Sequence, residues 1–245
     1  MFGTYQAIAL CQRADEDLIV EMAEIVFPDF VHRNQNANGL RLRVVGDFGD
    51  ERTLQFAADQ FQILLGILRA WRPGAGQRAD EFRPGIGKGA IQDEHGNQVL
   101  MVGSVISHRR MGGEVELYAN QAKIALESSS HLRDALWLYG RRDRNAADFY
   151  MIYEFAKKEF SGPKGITAAL GISKNDMDRL KQSANNLAPI YGGRHAKTTG
   201  PAPWDVEDQQ KFISTFLTKW IVYRVPPPGL KSECEHQRVL RLPTW

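Results

Sequence analysis

The chain has 245 residues, of which 43% are hydrophobic and 24% are charged, with a formal net charge of +2. This composition is ordinary for a globular protein, and so small a net charge gives no argument for nucleic acid or an anionic membrane as a partner. The chain contains 2 cysteines, Cys11 and Cys234, which offer neither a metal-ligand spacing nor a disulfide framework. We therefore predict a reducing environment, with no metal and no other cofactor.

The start of the chain, MFGTYQAIAL, lacks the basic segment of a secretory signal. No apolar run of the sequence approaches the length of a membrane span. The sequence therefore predicts a cytoplasmic protein with no membrane partner.

Residues 1–120 combine strand patterns with helix patterns, which predicts an α+β domain with a small antiparallel sheet. Short apolar or alternating runs predict strands at residues 5–10, 40–44, 90–91, 99–106 and 114–118. Met111, Gly112 and Gly113 are a turn signal between the last two, which predicts a hairpin there. Apolar residues at helical spacing predict helices at residues 18–26 and 54–71. The pattern assigns no role to this domain.

Residues 121–225 predict a bundle of four amphipathic helices with short connections, because polar N-cap residues repeatedly precede apolar stripes of helical period. The predicted N-caps are Asn145, Ser173, Asp205 and one of Ser128, Ser129 and Ser130. A run of prolines at residues 226–228 ends the last helix and begins a tail, residues 226–245.

A short predicted helix at residues 166–170, Gly171 and the helix capped by Ser173 match a helix-turn-helix pair. The second helix mixes acidic residues, which repel phosphate, with basic ones, which attract it: Asp176, Asp178, Lys174, Arg179 and Lys181. A simple turn between bundle helices is the favoured interpretation, and a DNA-binding helix-turn-helix protein is an alternative.

A polar stretch at residues 179–197 brings together groups suited to cleaving RNA without a metal. Such a reaction needs a base for the 2′-hydroxyl proton and a cation for the phosphorane. His195 titrates near neutral pH and can act as base or acid, while the adjacent Arg194 offers donors to phosphate oxygens. Asn185 would position these two side chains, and Tyr191 would stack on a base.

The same residues fit a structural interpretation equally well. In it, Asn185 caps its helix, Arg194 pairs with Glu154 or Asp148, and His195 donates to a carbonyl group.

A separate basic cluster begins at Arg141 and Arg142. These two residues are predicted to bind the RNA substrate.

Several motifs of the second half form a recognisable series. They are Ala135-Leu136-Trp137-Leu138-Tyr139 with Arg141-Arg142, Tyr150 and Glu154 on the next helix, Ala184-Asn185, Gly193, Arg194-His195, and a final helix between Trp204 and Trp220. In order and spacing this series, at about residues 130–221, resembles the HEPN-type helical domains of bacterial defence and toxin systems.

The resemblance implies a four-helix bundle that forms homodimers. It also implies a metal-independent ribonuclease or a sensor, with an arginine and a histidine acting at the dimer interface. In those domains the two residues are separated by a few positions, whereas Arg194 and His195 are adjacent. The predicted partners are a second copy of the chain, RNA and a protein encoded nearby. A non-catalytic dimerisation or interaction module is the alternative.

Overall fold

The computed structural model describes residues 3–8, 13–28, 41–46, 51–71, 90–92, 98–100, 113–141, 143–186 and 204–226. The helices in these ranges are α1 Arg13–Val26, α2 Glu51–Trp71, α3 Gly113–Ser128, α4 Ser130–Gly140, α5 Ala146–Glu159, α6 Pro163–Leu170, α7 Lys174–Asn186 and α8 Val206–Tyr223. The strands are β1 Gly3–Ile8, β2 Arg41–Gly46, β3 Ala90–Gln92 and β4 Gln98–Leu100. None of the described helices is long and apolar enough to cross a membrane.

The predicted α+β fold with a small antiparallel sheet is wrong, because helices dominate the described residues and share one core. The strands are short, in the order β2-β1-β4-β3, and the central pair β1 and β4 is parallel rather than antiparallel. Leu18 and Met22 of α1 and Leu64 of α2 belong to the same buried cluster as the side chains of the later helices. The apolar stripes of the first half are therefore buried against helices and not against a separate domain's sheet.

The strand predicted at residues 114–118 is also wrong, because these residues lie in α3. The alternation in Glu114, Val115 and Glu116 is local, and the helical period emerges only over the whole element. The buried positions of α3 recur every three or four residues and include Val115, Tyr118, Ala119, Ala122, Ala125 and Leu126. A domain boundary at residue 120 falls inside this helix. Of the predicted turn at residues 111–113, Gly113 is the first residue of α3 and the other two residues lie outside the described ones.

Local signals predicted the later helices well, and the N-caps are confirmed. Asn145 Oδ1 accepts from the N–H groups of Ala147 and Asp148, and Asp148 accepts from the N–H of Asn145 in return. The Asp205 carboxylate accepts from the N–H of Asp208 at 2.8 Å. Ser129 is the serine that caps α4, through a bond from the N–H of Leu132 to its hydroxyl oxygen. These bonds satisfy donors that a helix start otherwise leaves unpaired.

The contact between α2 and α4 depends on two glycines. A Cβ on Gly66 would overlap the carbonyl oxygen of Leu136, and one on Gly140 would overlap the carbonyl oxygen of Gln62. Gln62 also donates to the carbonyl of Trp137 at 3.0 Å. The two helix backbones can therefore approach closely only because both positions lack a side chain.

We expect Gly66→Ala to lower the free energy of unfolding, because α2 and α4 must move apart to admit the methyl group. The expected loss is about 1–3 kcal/mol, which exceeds the gain in helix propensity from alanine of about 1 kcal/mol. Urea denaturation would measure it. Gly113→Ala is the matched control, since a Cβ there meets nothing within 4 Å. If Gly66→Ala lowers the free energy of unfolding no more than Gly113→Ala does, the close contact of α2 and α4 at Gly66 is contradicted.

Candidate functional site

The helices α6 and α7 are joined by a short turn at residues 171–173. Gly171 has φ +63°, a left-handed conformation that favours glycine, and its N–H donates to the carbonyl of Thr167 at 2.9 Å. Ser173 begins the next helix: its hydroxyl oxygen accepts from the N–H of Asp176 at 3.1 Å and donates to the Asp176 carboxylate at 2.7 Å. Both ends of the turn are therefore fixed by residues suited to them.

Buried apolar side chains hold this pair of helices in place. They occur on α6, within the turn and on α7: Ile166, Leu170, Ile172, Met177 and Leu180. Both helices contact α5, so the three pack on one another. The outer surface of α7 is consequently set by the burial of its inner face, and its exposed side chains are Lys174, Asn175, Asp178 and Lys181.

The electrostatics of this outer surface are mixed. The Asp176 carboxylate is bonded to Ser173, so it serves the start of α7. Asp178 is exposed. The pKa of Tyr153 on α5 is raised mainly by the burial of its own side chain, then by the negative charge of Glu154, and then by that of Asp178. The exposed lysines of α6 and α7 add positive charge to the same surface.

Asn185, the first of the predicted catalytic residues, lies half-buried in the last turn of α7. The segment that follows it carries Tyr191, Arg194 and His195, and all three lie outside the described residues. The chain is described again at Trp204.

The two flanks of that segment meet at the end of α7. The backbone N–H of Trp204 donates to the hydroxyl oxygen of Ser183 at 2.7 Å, and that hydroxyl donates to the carbonyl of Arg179 at 2.8 Å. The Arg179 guanidinium lies 4.9 Å from the centre of the Trp204 ring. Gln209, which is fully buried, donates to the carbonyl of Trp204 at 3.1 Å. Trp204 therefore lies against α7 within one turn of Asn185.

The predicted substrate-binding residue Arg141 is engaged within the chain. Its guanidinium donates to the carboxylate of Asp148 at 2.8 Å, and its carbonyl accepts from the guanidinium groups of Arg69 and Arg144, each at 2.8 Å. Arg69 is almost fully buried and also donates to the carbonyl of Gly140 at 2.8 Å. These bonds satisfy the carbonyl groups at the end of α4. Arg142 lies outside the described residues.

A second polar cluster, which the sequence did not indicate, centres on Glu159 at the end of α5. Its side chain is 5% exposed and accepts from the Ser129 hydroxyl at 2.7 Å, the His131 Nδ1 at 3.3 Å, the Trp220 indole N–H at 3.3 Å and the Arg224 guanidinium. The start of α4 and the end of α8 thus meet on one carboxylate. The partners lie at least 28 residues from Glu159 in sequence, so no local motif reveals them.

Within the described ranges, no group of three or more His, Cys, Asp or Glu side chains is placed to hold a metal ion. Comparison of the chain with models of protein families, with curated proteins and with solved structures produced no match.

Proposed function

We propose that this protein binds double-stranded DNA, with α7 entering the major groove and α6 crossing the backbone. The observation that carries the proposal is the turn at residues 171–173, in which a left-handed Gly171 and a buried Ile172 set α6 against a capped α7. Helix-turn-helix proteins use such a pair, and the first residues of the second helix contact base edges.

The exposed residues of α7 have the chemistry that this role requires. Lys174 and Lys181 can bind phosphate oxygens, and Asn175 can make the paired hydrogen bonds that distinguish adenine. The acidic residues are the main objection, since they repel phosphate. The bond between Asp176 and Ser173 answers part of it, because that carboxylate is occupied at the helix start. Asp178 can accept from the amino group of cytosine.

The test is binding of labelled duplexes by fluorescence anisotropy. We expect micromolar affinity for a random duplex, falling steeply as salt is raised, and tighter binding to sequences selected from a random pool. A protein that binds no duplex at low salt, or that enriches no sequence, would contradict the proposal.

A second candidate function is cleavage of RNA without a metal. The observation that favours it is the bond between Ser183 and Trp204, because these two residues flank the stretch of sequence that carries Arg194 and His195, and Ser183 lies within one turn of Asn185. The resemblance of this region to HEPN-type domains supports the same chemistry and a homodimer.

We expect the purified protein to cleave single-stranded RNA in the presence of EDTA, and His195→Ala or Arg194→Ala to reduce the rate by about a hundredfold or more, as for loss of a proton-transfer group. His131→Gln is the control, because it shows whether removal of a different histidine also lowers the rate of RNA cleavage. Cleavage that survives both substitutions, or no cleavage by a folded protein, would contradict this function. Light scattering of the same sample would report whether the chain is a dimer.

A protein that binds no DNA and cleaves no RNA would instead be an interaction module. In that case the exposed apolar side chains of α3 favour this helix as the surface that binds another protein, since Leu117 is 62% and Ile124 is 40% exposed. They lie seven residues apart on one side of the helix.

A further inference from the structure

A buried carboxylate and a half-exposed imidazole are paired where three helix ends meet. Both Glu159 oxygens are occupied: Oε1 accepts from Trp220 and Arg224, and Oε2 accepts from Ser129 and His131. The carboxylate cannot turn away from His131 without losing bonds from two other helix ends. It is therefore a fixed negative charge beside the ring.

This pairing determines which nitrogen of His131 is reactive. A carboxylate only accepts, so the 3.3 Å contact places the proton on Nδ1. The lone pair is then on Nε2, on the side of the ring away from the buried Glu159. The His131 side chain is 38% exposed, compared with 5% for Glu159. Among the described residues it is the only histidine.

The surroundings of the ring favour an anionic group at Nε2. His131 is the second residue of α4, at the positive end of the helix dipole. The Phe155 ring contacts the imidazole, with ring centroids 6.4 Å apart. The Lys158 ammonium lies 6.0 Å from the centroid of the Phe155 ring. A helix start and an aromatic ring therefore lie beside the imidazole.

We propose that His131 is a phosphoryl acceptor that takes a phosphoryl group on Nε2 from a donor with a labile bond to phosphorus, such as a phosphoramidate or an acyl phosphate. The Nε2 lone pair forms the new N–P bond while the bond from phosphorus to the leaving nitrogen or oxygen breaks. The leaving group keeps that electron pair: a phosphoramidate releases its nitrogen as an amine, which takes a proton from water, and an acyl phosphate releases a carboxylate, which stays ionised at neutral pH. The Nδ1 proton stays in place, and Glu159 stabilises the positive charge that the ring acquires.

This site is separate from the region proposed to cleave RNA. Trp220 and Arg224 lie at the end of α8, whereas the bond between Ser183 and Trp204 lies at its start. The rise of an α-helix puts about 20 Å between Val206 and Trp220. Phosphoryl transfer to His131 therefore does not depend on the proposed cleavage of RNA, and its test requires no bound DNA.

The test uses the full-length protein and potassium phosphoramidate, with the modified residue located by mass spectrometry at neutral pH. We expect His131 to react faster than N-acetylhistidine in the same solution and faster than the chain's other histidines. Glu159→Gln should slow the reaction by about tenfold, the order expected when an imidazole loses its carboxylate partner. His131→Ala should remove the product.

Reaction at His131 no faster than that of N-acetylhistidine would overturn the proposal, and this comparison requires no variant to fold. An unchanged rate in a folded Glu159→Gln protein would overturn it as well, because the carboxylate would then not activate the ring. Circular dichroism melting would establish that each variant is folded.

Discussion

Replacing Glu159 with alanine is expected to destabilise the protein by about 2–4 kcal/mol, because the hydrogen-bond donors around a buried carboxylate stay in place without it. The Arg224 guanidinium, the Ser129 hydroxyl and the Trp220 indole would each lose an acceptor. Chemical denaturation followed by tryptophan fluorescence would measure the loss.

Glu207→Ala is the matched control for this substitution. Glu207 is 68% exposed and pairs with Lys211 at 2.9 Å on the surface of α8. Exposed pairs of this kind contribute about 0–1 kcal/mol. If Glu159→Ala costs no more than the control, Glu159 does not join the three helix ends.

The combined substitution Lys174→Ala and Lys181→Ala is expected to weaken DNA binding about tenfold or more at low salt and to reduce the slope of log affinity against log salt by about 2. Both side chains are exposed on α7, so the fold should be retained. Lys211→Ala supplies the control, since that exposed lysine lies among Glu207 and Asp208 on α8. An unchanged slope in the double variant would place any DNA contact elsewhere.

Asn175→Ala is expected to act differently from the lysine substitutions. Its amide would read a base rather than a phosphate, so the loss should appear as about 1–3 kcal/mol of discrimination at one position of a selected duplex. Affinity for random duplexes should change little. An equal loss for selected and random duplexes would show that Asn175 does not read sequence.

Features set by neighbouring residues could be predicted from the sequence. Asn145, Ser173 and Asp205 cap helices through side chains that bond N–H groups two or three residues further on. Gly171 ends α6 in the conformation that glycine favours. Each of these arrangements is complete within one turn of helix, so the local pattern contains all the information.

Features set by the tertiary fold could not be predicted in this way. The buried face of α3 is built largely from Ala119, Ala122 and Ala125, which give a weak apolar stripe. Arg69 bonds the carbonyl of Gly140, 71 residues away, and Glu159 bonds partners on two other helices. A pattern within one segment does not report which distant segment will pack against it. The predicted α+β class failed for the same reason.

The proposal that α7 binds DNA is tested most directly by mapping backbone amide chemical shifts as a selected duplex is added. We expect the largest changes at residues 173–182, with the exposed face of α3 unaffected. Changes confined to other helices, or none at saturating duplex, would contradict it.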